Sequence, residues 1–207
     1  MKPFIIENLE IIDAGSEGKA IGKHEGLTVF VPFAVPGDVV DVQVFKKKKT
    51  YAEAYIVNLK KSSPDRIDAQ CEHFGLCGGC KWQIMPYEKQ LFYKQKQVFD
   101  NFKHLGKFEF PELQPILGSE KQYFYRNKLE FTFSDLRWLD DIDKQKQSNG
   151  ESIETEGLGF HIPGKFDKVL DIKKCHLQAD PANEIRLAIK RFALEHHIPF
   201  FNVRKHE

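Results

Sequence analysis

Sulfur is scarce in this chain, and so are long apolar runs. Among 207 residues there are four cysteines and two methionines, and no unbroken hydrophobic stretch approaches the ~20 residues that cross a bilayer. A membrane-spanning helix is thereby excluded. The opening residues carry no leader-type apolar segment, because Glu7 and Glu10 interrupt it. The expected location is cytoplasmic, where thiols stay reduced and cysteines serve as ligands rather than disulfide partners. A surplus of one charge sign is missing too: 31 Lys and Arg against 30 Asp and Glu leave a formal +1. Overall charge therefore gives no footprint of a polyanionic partner, and any such partner must be met by local patches. What is plentiful is phenylalanine. Eighteen of them, in a chain that is 41% hydrophobic, fill cores and exclude a disordered protein.

Residues 1–60 read as a first domain of short strands. Phe4-Ile5-Ile6, Leu9, Ile11 and Ile12 run to a turn cluster at 13–18, and 27–32 is β-branched. Pro36-Gly37-Asp38 turns the chain into 39–44, which alternates with period two from Val40, and 51–57 returns after a lysine tip. Five short strands with hairpin tips predict a small all-β barrel of the OB kind. Lys19, Lys23, Phe30 and the tip lysines Lys46, Lys47, Lys48 and Lys49 are candidate contacts to nucleic-acid phosphates and bases. The bland alternative is a solvated hairpin tip, since acids balance bases over much of the domain and charged edges keep strands from aggregating. Gly18-Lys-Ala-Ile-Gly22, Val29-Phe-Val-Pro32 and Pro36-Gly37-Asp38 resemble the TRAM domain, an RNA-binding barrel of several RNA-modifying enzymes.

Residues 61–207 are expected to form a second, α/β (α+β) domain with an antiparallel sheet. A polar linker leads to Cys71-Glu-His-Phe-Gly-Leu-Cys77-Gly-Gly-Cys80, spaced C-x5-C-x2-C, and Cys175 stands far downstream. Four thiolates are what one tetrahedral zinc or one four-iron cluster takes. Zinc sites usually pair two close couples of ligands, whereas a three-plus-one pattern suits an iron–sulfur cluster; zinc and unligated thiols stay open at this point. Gly78 and Gly79 let the loop 71–80 wrap close to a bulky inorganic core. His73 reads as a hydrogen-bonding neighbour rather than a ligand.

A helix over 86–104 follows from Tyr87, Leu91, Val98, Phe99, Phe102 and Leu105 at helical steps, with one face packed, the Lys and Gln face solvated, and Gly106 as its stop. Antiparallel strands are expected within 125–172. In the first, 125–134, Leu129, Phe131 and Phe133 share a face; 157–161 and 168–172 follow. The acidic stretch 139–156 reads as a loop. Arg126 and Lys128 are candidate RNA contacts, or plain surface charges at a strand start. Asp180-Pro181 caps a helix over 181–196, with Leu187, Ile189, Phe192 and Leu194 as its apolar content. The segment 159–165 mimics a phosphate-binding loop, but Phe166 stands where Ser or Thr would hold magnesium, so a hairpin turn is expected.

The cysteine segment with Lys81-Trp82-Gln83, Tyr87, Gln90, Leu91 and Lys94 is similar to the cluster segment of the RNA uracil-5-methyltransferases. Tyr125-Arg126-Asn127-Lys128, Gly159-Phe160 and 169–175 resemble the same family, which includes the bacterial ribosomal-RNA enzymes that make 5-methyluridine. The resemblance implies a 4Fe-4S cluster on Cys71, Cys77, Cys80 and Cys175, RNA as partner (ribosomal first, transfer RNA second), and S-adenosyl-L-methionine as methyl donor. In the family a catalytic cysteine adds to C6 of a flipped-out uracil, C5 takes the methyl group, and a base removes the C5 proton. Those parts lie in a Rossmann-like domain that follows the region matched here. All four cysteines match cluster ligands, and no glycine-rich strand-to-helix turn is present. The expectation is thus the N-terminal RNA-binding and iron–sulfur portion of such an enzyme: monomeric, without the methyltransferase domain, and inactive alone. A stand-alone RNA-binding or chaperone module is the alternative, and a small electron carrier the third reading. The apolar ending at 198–203, read as a strand of a severed sheet, speaks against the stand-alone module.

Overall fold

The computed structural model describes residues 3–207. The chain divides into two compact units, Met1–Gln70 with Lys81–Glu120, and Cys71–Cys80 with Lys121–Glu207. The division differs from a boundary after residue 60. The helix that follows the cysteines goes with the first unit, and the cysteine loop goes with the second.

In the first unit, β1 (Phe4–Ala14), β2 (Lys19–His24), β3 (Leu27–Pro32), β4 (Val39–Lys47) and β5 (Tyr51–Lys61) close into a barrel in the order β1-β2-β3-β5-β4. Only the β3–β5 pair is parallel. Period-two alternation decides which side chains turn inward. Ile6, Val29, Val31, Val40, Val42, Val44, Ala52 and Ala54 fill the core, while Phe45 and Tyr55 face outward. The turn into β4 is pinned from inside. Asp38 is fully buried and accepts hydrogen bonds from the Val35 N–H at 2.7 Å, the Ser63 N–H at 2.9 Å, and the Arg66 guanidinium at 2.6 and 3.1 Å. Burial works to raise the Asp38 carboxyl, but Arg66 and the two backbone N–H groups outweigh it and hold its pKa below the ordinary carboxylate value.

Helix α1 (Tyr87–Asp100) continues as a π-helical turn, Asn101–Gly106, and ends where Lys107 takes left-handed backbone. None of its residues is buried, so the expected packed face does not form. The helix is held by polar side chains instead. Gln90 Nε2 donates to the carbonyls of Trp82 and Met85, Lys89 pairs with Asp65 at 2.8 Å, and Lys96 pairs with Asp13 and Asp100, both at 2.7 Å. Phe99 and Phe102 meet Phe110 edge-on.

In the second unit, β6 (Thr132–Ser134), β7 (Gly157–Ile162) and β8 (Lys165–Asp171) form an antiparallel sheet in that order. The strand expected over 125–134 shortens to three residues. Upstream of it, the N–H groups of Phe124 and Arg126 donate to the carbonyls of His176 and Leu177, while Leu129 and Phe131 still pack on the core. The stretch 139–156 is not all loop. Helix α2 (Asp141–Ser148) starts from a capping box in which Asp140 and Asp143 each accept the other's backbone N–H.

Helix α3 (Ala182–Glu195) reverses the expected polarity. Asn183, Arg186, Lys190 and Ala193 are buried, whereas Ile185, Ile189 and Phe192 are exposed. Of the two buried charges, Lys190 is paired, with Asp171 at 2.9 Å and Glu154 at 2.6 Å, whereas Arg186 donates to the Lys173 carbonyl at 3.0 Å and meets no carboxylate among the described residues. Pro181, not Asp180, occupies the cap position, and Asp180 accepts from Asn183 Nδ2 at 3.1 Å. The ending is not a strand. Phe200 buries edge-on against Phe133, ring centroids 4.9 Å apart, and Asn202 donates to Asp135 at 2.6 Å. Among the described residues no helix is long and apolar enough to cross a membrane.

Gly159 faces Asp171 across β7 and β8, so closely that an added Cβ would fall on the Leu170 carbonyl oxygen and lie 2.7 Å from Ile172 Cγ1. Gly159→Ala must therefore open this pair, at an expected cost of about 1–3 kcal/mol. A thermal melt unchanged from wild type would show that the sheet has slack there.

Candidate functional site

The cysteine loop is built from short turns. Phe74 N–H donates to the Cys71 carbonyl, Leu76 and Cys77 N–H both donate to the His73 carbonyl, and the Gly79 N–H reaches the Cys77 sulfur at 3.4 Å. The loop lies against the β7–β8 hairpin: a Cβ on Gly78 would stand 3.4 Å from the His161 carbonyl oxygen. His73 is buried, and its Nε2 accepts the Lys173 N–H at 3.0 Å. Burial holds this imidazole below its ordinary pKa, which keeps Nε2 unprotonated as that bond requires. His73 is thus the hydrogen-bonding neighbour that the sequence suggested.

Cys175 is buried just beyond β8. Its N–H donates to Asn183 Oδ1 at 2.8 Å, and Asn183 Nδ2 donates back to its carbonyl at 3.0 Å, so the first turn of α3 grips the residue from both sides. The structure brings all four thiols into one region. The Cys71 and Cys77 thiols are pushed up, first by burial and further by the negative charge that Cys80 and Cys175 would place beside them. All four are free of disulfides. Among the described residues, however, no three His, Cys, Asp or Glu side chains are arranged as the ligands of a metal ion. The arrangement as it stands thus gives no support to the zinc or the 4Fe-4S cluster. The supporting residues Asn183 and Arg186 escaped the sequence reading. The signal was a polar stripe at helical spacing, Asn183, Arg186 and Lys190, opposite an apolar one.

The candidate RNA contacts scatter. Lys19 faces Glu17 at 3.4 Å and Glu53 at 4.0 Å, Lys46 bonds Glu53 at 2.6 Å, and Lys23 donates to the Thr28 hydroxyl at 2.8 Å. Phe30 packs edge-on against Tyr51. Lys47 lies 5.5 Å over the Phe4 ring, and no carboxylate pairs with Lys47, Lys48 or Lys49 among the described residues. In the second unit Arg126 is exposed, and Lys128 pairs with Glu130 at 2.9 Å in full solvent view.

The barrel can now be placed among known proteins. Residues 6–57 match the TRAM domain family. This barrel is a TRAM domain. Over nearly its whole length, TRAM domain included, the chain is similar to an uncharacterized RNA methyltransferase of Bacteroides thetaiotaomicron, 53% identical over 192 residues and covering 93% of this chain and 42% of the relative. A protein described in the same words from Porphyromonas gingivalis is 50% identical over 202 residues, covering 96% of this chain and 43% of the relative. Among solved structures, the chain is similar to the Pyrococcus abyssi tRNA (uracil-54, C5)-methyltransferase in complex with S-adenosyl-L-homocysteine. The TM-score is 0.58 at 27% identity, over 96% of this chain and 40% of that one. The chain spans about two fifths of the length of the curated relatives it matches. The comparisons lend no support to the expected absence of a Rossmann-like domain from the protein, nor to an inactive portion.

Proposed function

We propose that this chain binds RNA through its TRAM domain and carries a 4Fe-4S cluster on Cys71, Cys77, Cys80 and Cys175, as part of a cytoplasmic, monomeric enzyme. That enzyme uses S-adenosyl-L-methionine to methylate C5 of a uridine in ribosomal or transfer RNA. The observation that carries the reading is the extent of the likeness: it runs through both units to a uracil-5-methyltransferase, not through the barrel alone. The donor set fits a cluster in kind. Four undisulfided thiols share one region, and two of them, Cys71 and Cys77, already receive a backbone N–H. A four-iron core is larger than one ion, so its thiolates stand further apart than those of a single metal. When bound, the cluster joins the loop 71–80 to the strand end at Cys175. Asn183 and His73 hold that loop and that strand end in register. In this reading every thiol of the chain serves the cluster. The thiol that attacks uracil C6, and the site of the methyl donor, belong to the length of such enzymes that this chain does not span.

The reading is tested in cells. Deleting the gene for the whole protein is expected to remove 5-methyluridine from one position of ribosomal or transfer RNA, read by mass mapping, and re-expression to restore it. An unchanged 5-methyluridine map would sink it.

A further inference from the structure

We infer that the outer face of β1, β4 and β5 is a stacking platform for unpaired bases of single-stranded RNA, with Phe45 and Tyr55 as its rings. The inference rests on the RNA reading above and names a surface that this reading leaves unassigned. Of the barrel contacts read from the sequence, Lys19, Lys23 and Phe30 lie on β2 and β3, the face on which OB barrels usually take oligonucleotides, and Lys46 to Lys49 lie at the β4–β5 tip. On that face Lys19 is neutralised by Glu17 and Glu53, and Lys23 is held to the Thr28 hydroxyl.

The opposite face differs in three respects. First, its rings are already set for a base. Phe45 and Tyr55 stack with centroids 6.1 Å apart and planes at 21°, and they are 54% and 44% exposed. Neither is needed inside, where Val44 and Ala54 complete the core. Second, further exposed apolar side chains flank the rings, with Gln43 between them. Ile5 pairs with Gln43, and Gln43 with Tyr55, across the three strands, so that Ile5 lies in the same outward row; Val57 follows two residues along β5. Ile5 and Val57 are exposed as well. A row of exposed apolar and aromatic side chains marks a contact surface. Third, cations without carboxylate partners stand at one end: after Phe45 comes Lys46, which is paired with Glu53, and then Lys47, Lys48 and Lys49, which are paired with no carboxylate among the described residues. Phosphates are attracted at the hairpin tip, so an RNA strand runs past the tip lysines and lays its bases over the rings. The closed barrel offers no free strand edge, so a peptide cannot be taken up here by main-chain pairing. Faces of the bases remain the better complement to two flat rings beside free lysines.

The test uses the whole chain and a mixed-sequence single-stranded RNA of about eight nucleotides, read by fluorescence anisotropy. The double variant Phe45→Leu with Tyr55→Leu keeps apolar volume and removes the π faces. It is expected to bind roughly tenfold or more weakly, with an unchanged thermal melt. Lys47→Gln with Lys48→Gln and Lys49→Gln is expected to weaken binding and flatten its dependence on salt. If the leucine variant binds as wild type while the lysine variant is weakened, the platform is overturned and the RNA reading stands. If wild type binds no RNA even at low salt, the RNA reading itself falls. If the leucine variant changes only the oligomeric state seen by light scattering, the face is a protein interface and the proposal is wrong.

Discussion

Replacing Cys175 by serine is expected to strip nearly all iron from a protein that, prepared without oxygen, carries about four iron and about four sulfide per chain. Cys175 is the informative choice because of where it sits. Cys71, Cys77 and Cys80 share one loop, and any of them could be lost through damage to that loop alone. Cys175 instead arrives from a strand end more than ninety residues away, buried and gripped by Asn183 on both its N–H and its carbonyl. Its thiolate is the only one of the four that reaches the site from the sheet. Because metal binding and folding share one free energy, the second unit should also unfold at lower temperature in the variant. Asn183→Ala leaves all four thiols in place but releases the backbone of Cys175, so it should keep part of the iron and lose it faster to a chelator. Iron retained in full by Cys175→Ser would refute the cluster assignment, and so would one zinc per chain with no sulfide.

The barrel was legible because its information is local. The alternation of Val40, Val42 and Val44, and the turn at Pro36-Gly37-Asp38, are enough to place β4 and its inward face. The gathering of Cys175 with the loop 71–80 was legible from residue type and count. What failed was read from one-dimensional polarity where distant charge decides. Helix α1 has an apolar stripe in sequence, yet Lys89 and Lys96 anchor it through Asp65 and Asp13, partners that no window of periodicity contains. Helix α3 failed for the same reason in sharper form. Lys190 is drawn inward by Asp171 and Glu154, and its isoleucines turn out. Helix α2 was missed although Asp140 and Asp143 have the spacing of a capping box, because a short solvated helix shows no hydrophobic period to support the cap. The RNA contacts were half legible. The lysines could be found in the sequence, but which of them keep a free charge depends on where Glu53 lies.

Asp38→Asn is expected to destabilise the barrel by about 3–5 kcal/mol at neutral pH, the cost of leaving one member of a buried ion pair without the other. For a unit of this size, that is a fall in melting temperature of more than about 10 °C. Asp38 has no solvent contact, and four hydrogen bonds from three residues converge on its two oxygens. Asparagine keeps one acceptor oxygen, turns the other position into a donor facing the Arg66 guanidinium, and abandons its charge. The pH dependence separates this account from simple loss of packing. The folded state holds the Asp38 pKa below its value in the unfolded chain, about 3.9. The unfolded state therefore binds the proton more readily, and the stability contributed by Asp38 is complete above that value and disappears as pH falls through the lower folded one. The gap between wild type and Asp38→Asn should then be widest near neutrality and narrow steadily below about pH 4, where a protonated aspartic acid comes to resemble the amide. Arg66→Met should open a gap of similar size, and the double variant should cost well under the sum of the two, because the second change removes a charge the first has already orphaned. A wild-type melt for Asp38→Asn at pH 7, or a gap that stays constant into acid, would show that the barrel does not depend on this pair.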